Sequence, residues 1–431
     1  MIRTLLAILL LSLSSLATAQ TSSGPTFPRL GLYSIGGPHN YEDAARQAQF
    51  AKFDVVILNV WPNWESGRGT TMEGVVRNIK ARNPSTQVFL YVASNELADD
   101  NTAWPELRAK LDAERWWLYQ SGGSGGRVKS TWGDQHYIIN NSDITRRDGN
   151  GDGFLEWYAR HIVDKFYRPN PSIDGFYLDN AFWKPRVNGD WDRDGTTDDQ
   201  NSPEVRRLTQ EALRKYTLQM KSLMPGKLQI ANVADWGGQE TTLNELVGVF
   251  DGGLLEHALG NSASPEVWGG WGELMRFYRK TRDALGGSRM MIFNQEGSPN
   301  NYRDFRYGFA TCLLDDGYYF FSPGNFHDIV WFDEFDADLG RAISPPSTSA
   351  WRSGVYRRDY EKGIVLVNPK GNAAADLELE ADFRRIAGSQ DPATNSGQIT
   401  RRVRLQERDG LVLLRTNAVA RPKPPSDLVV E

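Results

Sequence analysis

The stretch Ser172-Ile-Asp-Gly-Phe-Tyr-Leu-Asp-Asn-Ala-Phe-Trp183 decides how the rest of the chain is read. Asp174-Gly175 makes a turn, Phe176 to Leu178 run apolar, and Asp179-Asn180 place polar groups where a buried layer would meet solvent. Side chains alternate along a strand, so Gly175, Tyr177 and Asp179 share one face while Phe176 and Leu178 share the other. In a barrel of parallel strands Phe176 and Leu178 suit the helix-facing side, and Asp179 points over the axis at the C-terminal end, where such barrels keep their chemistry. The plainer alternative is a strand-terminal Asp that caps the next turn.

On either side of this stretch, short β-rich runs alternate with amphipathic helical segments. The runs are Leu30–Ile35, Asp54–Val60, Gln87–Ala93, Asp174–Asp179, Leu228–Val233, Gly252–His257, Arg289–Asn294 and Gly317–Ser322. Helices are predicted over Tyr41–Phe50, Gly74–Ala81, Glu204–Leu223, Gly272–Ala284 and Tyr302–Leu313. Eight strand-helix units in order predict an α/β fold, a (β/α)8 TIM barrel. An open doubly wound sheet shares the alternation, but no glycine-rich phosphate loop follows the first run. The third and fourth runs are about 80 residues apart and the fourth and fifth about 50, so the extra chain is expected on the active face. From Ser353 to Arg415 short β runs follow one another without helices, which predicts a small antiparallel β-sandwich domain.

Arg3, the apolar run Leu5 to Leu16 and the small residues Ala17-Thr18-Ala19 read as an export signal cut after Ala19. The expected organisation is a signal peptide over 1–19, a barrel over 20–345, a β domain over 350–417 and a Pro-containing tail over 418–431. No later apolar run is long enough to span a bilayer, so the expected address is secreted or periplasmic. Forty-nine basic residues against 54 acidic ones, without a basic block, argue against nucleic acid as a partner. The single cysteine, Cys312, lies in an apolar run and reads as a small buried hydrophobe. Fourteen tryptophans are more telling. Trp61, Trp64, Trp132, Trp183, Trp236, Trp268 and Trp271 sit within two residues of Gly, Asn, Asp or Pro, a setting that suits flat rings stacked on sugars as well as packing.

Two strand ends carry carboxylates in clean apolar frames, Asp179 on the fourth run and Glu256, in Leu254-Leu-Glu-His257, on the sixth. Two carboxylates at one barrel mouth are what glycosidic hydrolysis needs, one to protonate the leaving oxygen and one to attack or stabilise the oxocarbenium-like centre. Asn59, Tyr91, Asn180, Asn232 and Glu296, with Trp61, Trp183 and Trp236, are the expected substrate contacts, and Glu296 is also the rival acid. Asp235, just beyond its strand, is equally well a loop or helix cap. His257 neighbours Glu256 and is therefore expected on the opposite face, in a packing position. The five histidines show no pair at ligand spacing and no Gly-x-Ser-x-Gly elbow occurs, which sets aside zinc hydrolases and esterases.

Two Asp-rich loops predict structural Ca²⁺, with no cofactor required for the chemistry itself. In Asp190-Trp-Asp-Arg-Asp-Gly-Thr-Thr-Asp198, the residues Asp190, Asp192, Asp194, Thr196 and Asp198 follow the first part of an EF-type loop, and Asp148, Asn150 and Asp152 repeat the spacing. Both lack the acidic residue that closes such a loop, Asn201 and Ala159 standing there instead. The alternative is a pair of solvated Asx turns.

Asp174-Gly-Phe-Tyr-Leu-Asp-Asn180 with Glu256 resembles the predicted bacterial glycoside hydrolase-like barrels, and more distantly the endo-α-1,4-polygalactosaminidases and α-galactosidase-type enzymes. The likeness covers Leu30 to Ser322 and rests on the two strand ends. It implies that Asp179 is the nucleophile or its equivalent, that Glu256 is the proton donor, and that a β-sandwich follows the barrel. The expected function is a secreted hydrolase of a polysaccharide or oligosaccharide. The alternative is a non-catalytic glycan-binding barrel that has lost productive geometry.

Overall fold

The computed structural model describes residues 24–37, 39–60, 70–99, 104–121, 125–131, 135–238, 246–286 and 290–416. The leader at 1–19, the tail at 418–431 and the rings of Trp61, Trp64 and Trp132 lie outside the described residues.

Eight parallel strands stand in sequence order: β1 (Gly31–Ser34), β2 (Val55–Asn59), β3 (Gln87–Ala93), β4 (Gly175–Asp179), β5 (Leu228–Asn232), β6 (Gly252–Leu259), β7 (Met290–Glu296) and β8 (Tyr318–Ser322). A parallel bridge from Leu30 to Tyr319, with the Tyr319 N–H donating to the Arg29 carbonyl at 2.9 Å, closes the cylinder. Around it run α1 (Ala44–Phe50), α2 (Met72–Arg82), α3 (Pro105–Glu114), α4 (Phe154–Ile162), α5 (Pro203–Leu223), α6 (Pro265–Ala284) and α7 (Tyr302–Leu313). The TIM barrel predicted from the alternation is thus the fold. The helix α6 begins earlier than expected, because its first turn joins across a kink at Gly270, φ 78°.

Each strand is buried on both faces, which is why the runs read as nearly continuous apolar sequence. In β4, Phe176 and Leu178 face the helices, and burying each contributes about 1.5 to 3 kcal/mol. Tyr177 turns inward, its ring 5.3 Å from that of Tyr33 on β1 and 5.9 Å from that of Tyr91 on β3, so tyrosines fill the barrel beneath its mouth. Gly175 is required at the base of β4, since a Cβ there would stand 1.8 Å from the Leu228 carbonyl oxygen. Helix α4 is pinned to the top of β3 by Tyr158, whose hydroxyl donates to the Ala93 carbonyl at 2.6 Å. The long connections after β3 and β4 pack on each other through a satellite core of Leu118, Val128, Ile138 and Trp191, joined by Val205 from the start of α5.

After the barrel come β9 (Tyr356–Asp359), β10 (Gly363–Asn368), β11 (Ala375–Arg385), β12 (Ile399–Leu405) and β13 (Asp409–Arg415), antiparallel in the order β9-β10-β13-β11-β12. Strand β11 pairs first with β12 and then also with β13, with a register shift between Glu378 and Phe383. The sheet curls there, closing Leu377, Leu379, Val403 and Leu405 over Ile364, Leu366, Leu411 and Leu413 in the small β domain the sequence predicts. Its other face, with Val365, Val367 and Val412, joins the barrel core. The approach is close: a Cβ at Gly410 would lie 2.4 Å from the Arg306 carbonyl oxygen of α7. Arg408, in the turn between β12 and β13, reaches the start of α6 and α7, where it pairs with Glu266 at 3.2 Å and with Asp304. Among the described residues no helix is long and apolar enough to cross a membrane.

Candidate active site

The parallel register brings three strand ends together. Asp179 ends β4, Asn232 ends β5 beside it, and Glu256 lies two residues beyond Leu254, the β6 partner of Asn232. The Asn232 side chain is buried between the two acids. Its Nδ2 donates to Asp179 Oδ1 at 3.0 Å and to Glu256 Oε2 at 2.8 Å. The Ala234 N–H donates to Asn232 Oδ1 at 3.1 Å, which fixes the amide with its nitrogen toward the acids. Two oxygens that share one donor at these lengths lie within about 6 Å of each other.

The carboxyls differ in what surrounds them. Asp179 also accepts from the Tyr91 hydroxyl at 2.6 Å and from the Asn180 N–H at 2.8 Å. Burial raises its pKa, and those hydrogen bonds oppose the rise by stabilising the anion. Burial also raises Glu256, and there the negative charge of Asp179 adds to the effect. Asp179 therefore ionises first and Glu256 holds its proton longer.

At the end of β6 the alternation of side chains fails. Leu255 pairs with Phe293, but the next β6 partner is Leu259, opposite Gln295, so three residues face one in a bulge. His257 takes φ 55° there, and its N–H donates to Asn294 Oδ1 at 3.2 Å. The packing position expected for His257 is thereby corrected: the bulge turns its ring to the mouth, Nδ1 2.5 Å from Glu296 Oε1 and Nε2 3.8 Å from Glu256 Oε1. The imidazole of His257 at this distance holds Glu296 below the ordinary carboxylate range, so Glu296 is an anion there rather than a rival acid. Its other oxygen accepts from Asn261 Nδ2 at 3.3 Å.

Several expected sugar contacts are engaged elsewhere. Asn59 donates to the Ile35 carbonyl at 3.0 Å, tying the tops of β1 and β2. Asn180, with φ 54°, donates to Asn95 Oδ1 at 3.3 Å, and Tyr91 serves Asp179. Trp236 is 0% exposed, its Nε1 donating to the Ala181 carbonyl at 2.8 Å, and Trp183 is 7% exposed. Neither can offer a ring face to a sugar, which corrects that expectation. Both belong to the main hydrophobic core, because an indole near polar or turn-forming residues fills core as readily as it lines a loop. Of the tryptophans named from sequence, Trp271 is also buried, whereas Trp268 is 56% exposed. A cleft opens beside Asn180, walled by Asn95, Ile138, Phe182, Arg186 and Trp191.

Asp235 is the carboxyl whose environment the sequence left open. Burial pushes it up to about 6, against the pull of Arg186, whose guanidinium is 3.9 Å away, and it accepts from the Trp183 N–H at 3.4 Å. Its signal in sequence, one Asp past a strand, is shared with ordinary caps.

The Asp-rich loops part company. Asp190, Asp192 and Asp194 each offer a carboxylate oxygen within 4.8 Å of the others. Asp198 instead accepts from the Trp191 N–H at 2.8 Å and the Asp192 N–H at 3.2 Å, and Thr196 donates to Asp194 Oδ1 at 2.7 Å. In the other loop Asp148 is ion-paired with Lys110 at 2.8 Å and accepts from the Asn150 N–H at 2.8 Å, while Asp152 is paired with Arg160. That loop leads into α4, whose start Glu156 caps by accepting from the Gly153 N–H at 2.6 Å. In this loop, unlike the first, cations of the chain stand beside both carboxylates.

Among solved structures, the glycoside hydrolase domain of PelA from Pseudomonas aeruginosa matches at 15% identity and TM-score 0.42, over 71% of this chain and 98% of its own. An Anoxybacillus alpha-amylase matches at 11% and 0.46, over 91% of this chain and 98% of its own. An uncharacterised Listeria monocytogenes protein, solved with glucose, magnesium and calcium, matches at 10% and 0.50, over 92% of this chain and 42% of its own. The last likeness bears on the fold alone. No curated protein sequence matches. The model of hypothetical glycosyl hydrolase family 15 matches residues 80–364, a span that holds Asp179, Asn232, Glu256, His257 and Glu296, and the chain belongs to that family.

Proposed function

We propose that the protein is an exported hydrolase that cleaves a polysaccharide with Asp179 and Glu256 as its working pair, with retention at the anomeric carbon. The observation that carries this reading is the single Asn232 amide shared by both acids. Two oxygens held by one amide nitrogen stand no more than about 6 Å apart, which leaves little room for a water between the acids and so favours a retaining pair over an inverting one. In the first step Glu256 gives its proton to the leaving oxygen as Asp179 attacks the anomeric carbon and the glycosidic bond breaks. In the second, Glu256 takes a proton from water, whose oxygen displaces Asp179 and frees the sugar. Tyr91, Asn232 and the Asn180 amide keep Asp179 ionised for attack, and its charge keeps Glu256 protonated for donation.

Purified protein screened against bacterial exopolysaccharides and amino-sugar polymers should release reducing ends of retained configuration, and D179N should release none. Equal turnover by wild type, D179N and E256Q would end the proposal. Binding without turnover in the wild type would identify a glycan-binding barrel instead. The apolar run Leu5 to Leu16 supports export, which the presence of the protein outside the cytoplasm of an expressing bacterium would test.

In the same reading Asp190, Asp192 and Asp194 hold a structural Ca²⁺ that steadies the wall formed by Trp191. The ion takes no part in the chemistry. Chelation should lower Tm by a few degrees and added Ca²⁺ should restore it; an unchanged Tm in D192N under both conditions, with a wild-type response, would locate the ion.

A further inference from the structure

His257 occupies a place that strand geometry denies it. By alternation it belongs on the helix-facing side of β6, yet the chain spends a bulge and a left-handed backbone on a residue that is not glycine to bring the imidazole to the mouth. The ring then lies between two carboxylates, 2.5 Å from Glu296 and 3.8 Å from Glu256, with Asn294 gripping its amide.

Building on the reading of Glu256 as the proton donor, we propose that His257, clasped by Glu296, is a positioning residue that sets how tightly Glu256 holds its proton. An acid in a retaining cycle must also serve as a base. Glu256 is shielded from water and stands beside the Asp179 anion, and both effects favour its protonated form. Left so, it would donate readily but resist passing through the carboxylate that the second step needs. A cation beside it offsets the anion. An isolated imidazole would be largely neutral at pH 7, and Glu296 keeps it charged.

The groups facing this pair are few. Asp179 comes from β4 and Glu296 from β7, and both are anions. Tyr33, Tyr91 and Tyr177, from β1, β3 and β4, are phenols that burial raises well above their usual range and so keeps neutral. Among them His257 is the group that brings positive charge to Glu256. Asn232 and Asn261 add neutral hydrogen bonds.

The test is a titration of the full protein labelled with ¹³C at the glutamate side-chain carboxyl, the Glu256 signal being the one lost in E256Q. In H257Q the Glu256 midpoint should rise by about one unit, a tenfold tighter hold on the proton. In E296Q it should rise by less, because the ring stays but loses charge near neutral pH. The imidazole signal missing from H257Q should titrate above the ordinary histidine range in the wild type and fall back in E296Q. A Glu256 midpoint unmoved in folded H257Q, or in E296Q should H257Q not fold, overturns the proposal. A purely structural ion pair would lower Tm in both variants and leave that midpoint alone. The titration needs no turnover, so it separates the two readings. An inactive protein whose midpoint rises keeps the pairing and loses the hydrolase, and an active one whose midpoint stays does the reverse.

Discussion

Asp174 and Asp179 bracket one strand, yet their surroundings share almost nothing. Asp174 lies at the floor, where its Oδ2 accepts from the Val88 N–H at 2.7 Å and from Lys80 Nζ at 2.6 Å. Asp54 and Asp251 do the same for neighbouring strands, accepting from the Leu30 N–H at 2.7 Å and the Gln229 N–H at 2.8 Å. Each floor aspartate ties the start of one strand to the next. Asp179, at the mouth, has no cation at contact distance among its hydrogen-bond partners, and it shares its main donor with a second acid. The same side chain therefore serves stability at one end of the barrel and chemistry at the other, because at the floor a lysine and a backbone amide tie Asp174 into the frame, whereas at the mouth Asp179 meets neutral donors and a second acid.

The contrast can be broken most forcefully at the mouth. D179N should reduce turnover about 10⁴-fold or more, since the amide cannot attack, while Tm stays level or rises. Measuring reducing-end release and thermal unfolding on the same preparation checks both halves. E256Q should cost about 10²- to 10⁴-fold on a polysaccharide and much less on a glycoside with an activated leaving group, which needs no proton. Equal losses on both substrates would remove Glu256 from the acid role.

At the floor the effects should be smaller and of the other kind. D174N removes the partner of Lys80, which should cost about 1 to 3 kcal/mol and lower Tm by about 1 to 3 °C, with turnover per folded molecule unchanged. A loss of turnover without loss of stability would erase the distinction between the two ends.

Asp235 tests the same contrast by pH. Its folded pKa, about 6, lies above the ordinary aspartate value, so the folded state binds the proton more tightly than the unfolded chain does. The stability this lends is full below about pH 4 and is lost as pH rises through about 6. At pH 7.5 D235N should therefore gain up to about 3 kcal/mol, or about 2 to 3 °C, and at pH 4 it should match the wild type. A gain of the same size at both pH values would show that charge is not the cause.

Much of this protein was legible before any coordinates. Strand positions, the barrel and the β domain follow from apolar runs of the right length, because a strand buried on both faces must be apolar throughout. Asp179 was legible too, since β4 keeps regular alternation to its last residue. His257 was not, because alternation assumes an unbroken ladder and the bulge pairs three residues of β6 against one of β7. Trp183 and Trp236 misled for a related reason. Their local sequence is compatible with either a loop or the core, and only distant partners such as Ala181 decide between them.

What the chain's own order of residues determined is the cylinder and the delivery of an acid to its rim, since both follow from local periodicity and short-range sterics. The tertiary structure alone decided that Asn232 would bridge two acids and that Glu296 would grip a histidine rather than act as an acid. Those outcomes depend on side chains from four different strands meeting at hydrogen-bonding distance, and no spacing along the chain encodes such a meeting.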